Sequence, residues 1–152
     1  MKLQDSFEIE APAEQIWEFL LDIPRVSVCV PGAEDVKEVE PDVYQGKLKA
    51  RVGAVKAAFT GEAKIEEKIA PEMLSATFKA QDRALASMVT GKFTAKLTPI
   101  EIGCRLDYEM DVAMRGRLGT IGFTVVQQTA KKMTAEFIAC LSASLSAMDP
   151  ND

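Results

Sequence analysis

An α+β fold, in which a curved antiparallel seven-stranded sheet wraps a long C-terminal helix, is predicted by three features of the sequence. Residues 33–114 alternate apolar and polar positions with a period of two. The breaks in that alternation are too short for parallel crossovers. A single proline-free stretch with helical spacing follows, from Leu118 to Met148.

The elements follow in order. In residues 3–10, LQDSFEIE, Leu3, Asp5, Phe7 and Ile9 share one side, which predicts a half-buried strand ended by Ala11-Pro12. Ile16, Trp17, Leu20 and Leu21 then recur at helical spacing, and Pro24 limits that helix to about three turns. A second short helix is expected over Pro24–Cys29, before the turn Pro31-Gly32. Six strands follow, at 33–40, 43–53, 55–69, 73–82, 86–98 and 103–114, joined by turns such as Glu40-Pro41-Asp42 and Ala70-Pro71-Glu72. In the last helix Gly119, Phe123, Val126, Ala130, Met133, Phe137, Leu141 and Leu145 form one face, with Lys131, Lys132, Thr134 and Glu136 largely off it. This order, strand, two helices, six strands, helix, is that of the helix-grip fold. One domain, 1–148, with a polar tail at 149–152, accounts for the chain.

Composition narrows the function. The chain has 152 residues, 47% hydrophobic and 27% charged, which is enough for one core and too apolar for disorder. A net charge of −5 without a basic cluster argues against nucleic acid. No histidine is present, so Ser-His-Asp and Cys-His arrangements and His-based zinc sites are excluded. Acid pairs such as Glu66-Glu67, Asp107/Glu109 and Asp107/Asp111 have the outward phase of a solvated strand face. No catalytic residue and no metal ligand is therefore assigned. The start lacks a signal-peptide core and no run is apolar enough to span a bilayer, so a cytoplasmic location is expected. Cys29, Cys104 and Cys140, odd in number and far apart, read as reduced thiols.

The inward set of strand residues is rich in small ones: Gly46, Ala50, Ala57, Gly61, Ala63, Ala76, Ala80, Gly91 and Ala95. Close packing needs large residues to alternate with small ones, so either the sheet bends sharply or the interior is hollow. The bulky residues of the helix fill that space only in part, which favours an internal apolar cavity. Its expected wall is Trp17, Tyr44, Phe59, Phe78, Phe93, Leu97, Tyr108 and Met110 facing Val126, Met133 and Phe137. The wall is uncharged, with Tyr44 and Tyr108 as polar handles, and suits an uncharged apolar ligand such as a lipid or quinone. Pro31 and Gly32, with the glycines Gly116, Gly119 and Gly122, are expected to gate it.

Beyond these patterns, particular segments carry a resemblance. Phe7-Glu8-Ile9-Glu10-Ala11-Pro12, Ile16-Trp17-Glu18-Phe19-Leu20-Leu21-Asp22, Cys29-Val30-Pro31-Gly32-Ala33, Tyr44-Gln45-Gly46, Val52-Gly53, Phe59-Thr60-Gly61 and Gly116-Arg117-Leu118-Gly119 resemble the CoxG family of carbon monoxide dehydrogenase proteins. That family lies within the START-like (SRPBCC) superfamily. The resemblance implies a non-catalytic accessory protein of a molybdenum hydroxylase, linked to membrane recruitment of the enzyme and delivery of a respiratory quinone. No covalent cofactor is implied; a bound quinone or lipid is. Two alternatives remain: a docking scaffold without ligand transport, and an enzyme of the polyketide-cyclase kind found elsewhere in the superfamily. Some members carry a C-terminal extension for membrane attachment, whereas this sequence ends at Asp152. Transient peripheral contact through the gate segments is the expectation.

Overall fold

The computed structural model describes residues 1–147. Its elements are β1 (Lys2–Ile9), α1 (Ala13–Leu21), α2 (Ile23–Cys29), β2 (Ala33–Glu40), β3 (Val43–Val52), β4 (Val55–Ile69), β5 (Met73–Asp82), β6 (Ser87–Ile100), β7 (Gly103–Arg115) and α3 (Phe123–Ala147). The seven strands form one antiparallel sheet in the order β1-β7-β6-β5-β4-β3-β2. Successive hairpins build β2 through β7, and β1 closes the far edge against β7. This is the helix-grip arrangement expected from the alternation.

The short helices begin and end for local reasons. Pro12 caps α1 in an extended conformation, and Ala13, Ile16, Trp17 and Phe19 are its buried face. Asp22 separates the two helices and its side chain accepts a hydrogen bond from the Arg25 amide, while Pro24 occupies the first turn of α2, where no amide is needed. The Arg25 guanidinium lies 4.8 Å over the Phe19 ring.

Three expectations change. The last helix does not begin at Leu118: Arg117–Thr120 form a separate 3-10 turn, and α3 starts at Phe123. Gly122, at φ +101°, breaks the helical path between them. Met148 and the polar tail lie outside the described residues. Second, Thr134 faces inward, since the apolar stripe of a helix is wide enough to take positions three and four after Ala130 alike. Third, Cys29 and Cys140 are joined in a disulfide with Cα atoms 5.4 Å apart. The return of α2 across α3 brings together residues 111 positions apart, which spacing alone could not show. The reduced-thiol reading survives only for the buried Cys104, and the compartment argument drawn from it falls for the other two. Burial, above all, pushes the Cys104 thiol pKa upward, as expected of an inert structural cysteine.

Two core clusters flank the middle of the molecule. One gathers α1, the far ends of β6 and β7, and Leu141 and Leu145 of α3. The other holds Leu3, Val52, Phe59, Val89, Val112, Leu118 and Val126. No helix among the described residues is long and apolar enough to cross a membrane.

Candidate functional site

The site is the gap between those clusters. Helix α3 comes close to the sheet along β1 and β3, near its two edges, and its backbone stands farther from the four strands between them. The gap is occupied only as far as side chains reach, and on β3, β4 and β5 many are short: Gly46, Ala50, Gly61, Ala63, Ala76 and Ala80 line it. A pocket of about 570 Å³ results. Its helical wall is Val126, Thr129, Ala130, Met133 and Thr134 of α3, and its flank is Leu20 with Ile23, Val26 and Ser27 of α2 and Val30 at its C-cap.

Not every small residue contributes space. An added Cβ at Gly91 would run into the ring of Phe78 and the Asp111 carbonyl, so there the ring lies over the glycine and fills the site. At Gly46 it would meet the Val36 side chain at 2.9 Å, and at Gly61 the Lys79 carbonyl at 2.7 Å, so these two border the pocket while letting neighbouring strands approach. Ala57 and Ala95 are buried in packed surroundings. The two readings of the small residues therefore divide by position: close approach at Gly46, Gly61 and Gly91, packed core at Ala57 and Ala95, and open space at Ala50, Ala63 and Ala76.

Of the residues expected in the wall, Tyr44, Phe59, Phe78, Met110, Val126 and Met133 line the pocket. Trp17, Phe93, Leu97, Tyr108 and Phe137 do not; they pack in the cluster around α1. Strand phase puts Phe93, Leu97 and Tyr108 correctly on the inward face, but α1, with Trp17, covers that end of the sheet and packs with them and with Phe137 of α3. Phe93 and Tyr108 stack with ring centroids 6.0 Å apart, and Phe19 meets Phe137 edge-on at 6.5 Å. None of Pro31, Gly32, Gly116, Gly119 and Gly122 lines the pocket, although Val30 and Ala33 on either side of the first pair do. Gly32 is required where it stands, at φ +80°, because a Cβ would overlap the Lys49 carbonyl. The Gly116 to Gly122 segment is pinned by Leu118, which is 1% exposed and whose amide donates to Ser87 Oγ at 3.0 Å.

Sequence periodicity missed several lining residues: Thr129 and Thr134 of α3, all of the α2 contribution, and Val36 of β2. The α2 residues gave no signal because seven residues are too few to show a period. Gln45, Lys47, Glu62 and Lys79 border the pocket from the exposed phase of their strands. Gln45 Nε2 donates to Glu62 at 3.2 Å, and Lys47 pairs with Asp35 at 3.8 Å. The Tyr44 hydroxyl pKa is pushed up to about 12 by burial and by its hydrogen bond to, and the charge of, Glu38 opposite it on β2. No phenolate forms there at neutral pH. The remaining hydroxyls of the lining, Ser27, Thr129 and Thr134, are neutral as well.

Comparison with known proteins agrees with this architecture. A protein from Geobacillus kaustophilus, solved as a conserved protein, superimposes with a TM-score of 0.89 at 20% identity over 97% of this chain and 96% of its own. A Rhodobacter sphaeroides protein gives 0.72 at 16% identity, covering 97% and 93%. The Zhui aromatase/cyclase from Streptomyces sp. R1128 gives 0.64 at 14% identity, covering 95% and 92%. At these identities the likeness is one of fold. No curated protein sequence matches. The profile of the carbon monoxide dehydrogenase CoxG family matches residues 6–146, nearly all of the chain, which therefore belongs to that family.

Proposed function

We propose that the chain is a non-catalytic accessory protein of a molybdenum hydroxylase of the carbon monoxide dehydrogenase type, and that it carries an apolar small molecule, a respiratory quinone or lipid, in its pocket. The observation that supports this most is the wall: hydrocarbon and thioether side chains enclose about 570 Å³, and the charged groups beside it point to solvent. A volume of that size suits a ligand of drug-like or isoprenoid dimensions. Tyr44, Phe59, Phe78, Met110, Val126 and Met133 are the proposed contacts, with Trp17, Phe93, Leu97, Tyr108 and Phe137 supporting them from behind. Methionines at three places in the wall suit a ligand of variable shape.

The ligand enters beside α2. This helix forms one flank, is joined to β2 through Pro31-Gly32, and exposes Val28, 81% accessible, to whatever the protein meets. Brief contact of this rim with the inner face of the cell membrane would let an apolar molecule transfer without crossing water. The partner is the dehydrogenase itself, to which the carrier brings its cargo.

The likeness to an aromatase/cyclase raises an enzymatic reading, but the ionisable carboxylate and ammonium groups that border the pocket, Glu62, Lys47 and Lys79, stand on the exposed phase of their strands and not on its apolar floor. A scaffold without cargo is the stronger rival. Native mass spectrometry of the purified protein, with organic extraction, should reveal a bound quinone or lipid; a chain that never takes one up from liposomes sinks the carrier reading. Ala76→Phe then separates the rivals. Electron transfer lost with docking retained supports the carrier, and neither affected supports the scaffold.

A further inference from the structure

The hydroxyl groups of the pocket share a property that bears on its ligand. A hydroxyl has one proton to donate and two lone pairs with which to accept. Thr129 Oγ1 gives its proton to the Val125 carbonyl at 3.1 Å, and Thr134 Oγ1 gives its own to the Ala130 carbonyl at 2.7 Å. Both are the ordinary bond of a helical threonine to the carbonyl one turn back. Ser27 Oγ, on the opposite flank, donates to the Pro24 carbonyl at 3.0 Å. Behind the wall, the Tyr108 hydroxyl lies 3.3 Å from Thr134 Oγ1. Because the Thr134 proton is committed, Tyr108 is the donor in that pair.

At the rim, Tyr44 is the cross-strand partner of Glu38, whose carboxylate can accept from its hydroxyl. The strand amides of β3 to β5 are engaged in the sheet ladder. The lining hydroxyls thus carry lone pairs but no uncommitted proton, two on Thr129, two on Ser27 and one on Thr134, beside the weakly accepting sulfurs of Met110, Met114 and Met133. Apart from Gln45, Lys47 and Lys79, which border the pocket from the exposed phase of their strands, the described lining offers acceptors and no uncommitted donor.

From this arrangement we infer that the pocket selects apolar molecules bearing a hydrogen-bond donor, a hydroxyl group, over matching molecules whose oxygen can only accept. A ligand hydroxyl gains a bond to Thr129 without breaking one. A carbonyl or ether oxygen at the same place faces lone pairs, and turning the threonine proton toward it forfeits the bond to Val125. The inference rests on the pocket being a ligand site and adds the ligand's chemistry to that reading. For a quinone carrier it gives a direction: the reduced form, with two hydroxyls, is held more tightly than the oxidised form, with two carbonyls.

The test uses a stable pair of probes, 4-decylphenol and its methyl ether 4-decylanisole, titrated calorimetrically into the full chain. The added methyl makes the ether the more apolar, so hydrophobicity alone favours it. We expect the phenol to bind about tenfold more tightly, the worth of one buried hydrogen bond. Thr129→Val keeps the shape and removes the acceptor, and should reduce the ratio to about threefold or less; Thr129→Ser keeps the hydroxyl and should preserve it. Equal binding, or tighter binding of the ether, overturns the inference while leaving the pocket as an apolar site. So does a preference that persists in Thr129→Val/Thr134→Val. If neither probe binds, the pocket reading fails and this inference fails with it.

Discussion

The two halves of α3 face the same sheet and end in opposite conditions. From Phe137 onward, the helix meets Phe19, Leu97, Leu106 and Tyr108 in a filled core in which Ile16, Phe19 and Leu141 have no exposure at all. From Val126 to Thr134 it meets Gly46, Ala50, Gly61, Ala63 and Ala76 across open space. The helix is apolar along both halves, so the difference comes from what stands opposite. Helix α1 supplies two aromatic rings and an isoleucine to one end, while at the other the strands place glycines and alanines between their larger residues. A pocket in this fold is made by leaving side chains out of three adjacent strands, and the neighbouring solid core bears the stability that the hollow does not provide.

Truncation should reveal that division most strongly. Phe19→Ala removes a ring from a site with 0% exposure and should cost about 3–5 kcal/mol in urea denaturation. Met133→Ala, whose side chain already borders empty space, has fewer contacts to lose and should cost about 1 kcal/mol. Similar costs at the two sites would mean that the pocket collapses in solution. Next in size is the bond that ties α2 to the packed half of α3. Cys29→Ala/Cys140→Ala opens a link spanning 111 residues and should lower stability by about 2–4 kcal/mol. Since α2 carries Ile23, Val26 and Ser27 of the pocket flank and leads into Val30, the same variant should exchange an apolar probe faster than the parent chain. Unchanged exchange would show that α2 is held by packing alone.

These contrasts also mark what could be read from the sequence. The order of elements and the inward phase of nearly every strand residue were legible, because alternation along a half-buried strand is a local property. Cys104, Leu106, Tyr108, Met110, Val112 and Met114, for example, all point inward as their phase requires. The position of the hollow along the sheet was not legible. It depends on where α1 lies, and nothing in the spacing of Phe93, Leu97 and Tyr108 distinguishes inward residues covered by a helix from inward residues left uncovered. Thr134 and the Cys29–Cys140 pair were missed for similar reasons: one depends on the rotation of a helix about its axis, the other on a crossing between distant segments.

Overpacking inverts the first comparison at a smaller scale. Ala95→Phe places a ring at a position 3% exposed and should cost about 1–3 kcal/mol, whereas Ala76→Phe extends into the pocket and should stay within about 1 kcal/mol of the parent. The second variant should also abolish binding of an apolar probe. A large loss of stability in Ala76→Phe would show that the space is too narrow for a ring, and so for a quinone head.

The smallest effect concerns the end of the pocket away from α1, which is closed by polar pins as well as by hydrocarbon. Asp82, 4% exposed at the close of β5, accepts from the amides of Ala58 at 2.8 Å and Leu85 at 3.1 Å, and these bonds hold its carboxyl pKa below the ordinary value of 3.8. Ser87 lies just beyond, donating to the Leu85 carbonyl and accepting from the Leu118 amide. A carboxyl lowered on folding contributes stability that is complete above its unfolded pKa and lost as pH falls through the folded one. Acid below about pH 4 should therefore loosen this end first, with faster hydrogen exchange at Ala58, Leu85 and Leu118 than at the amides of α1. In Asp82→Asn, stability should fall less between about pH 5 and about pH 2.5 than in the parent. An acid loss equal in the two proteins would place the titrating group elsewhere and leave both ends of the pocket secured by the same apolar forces.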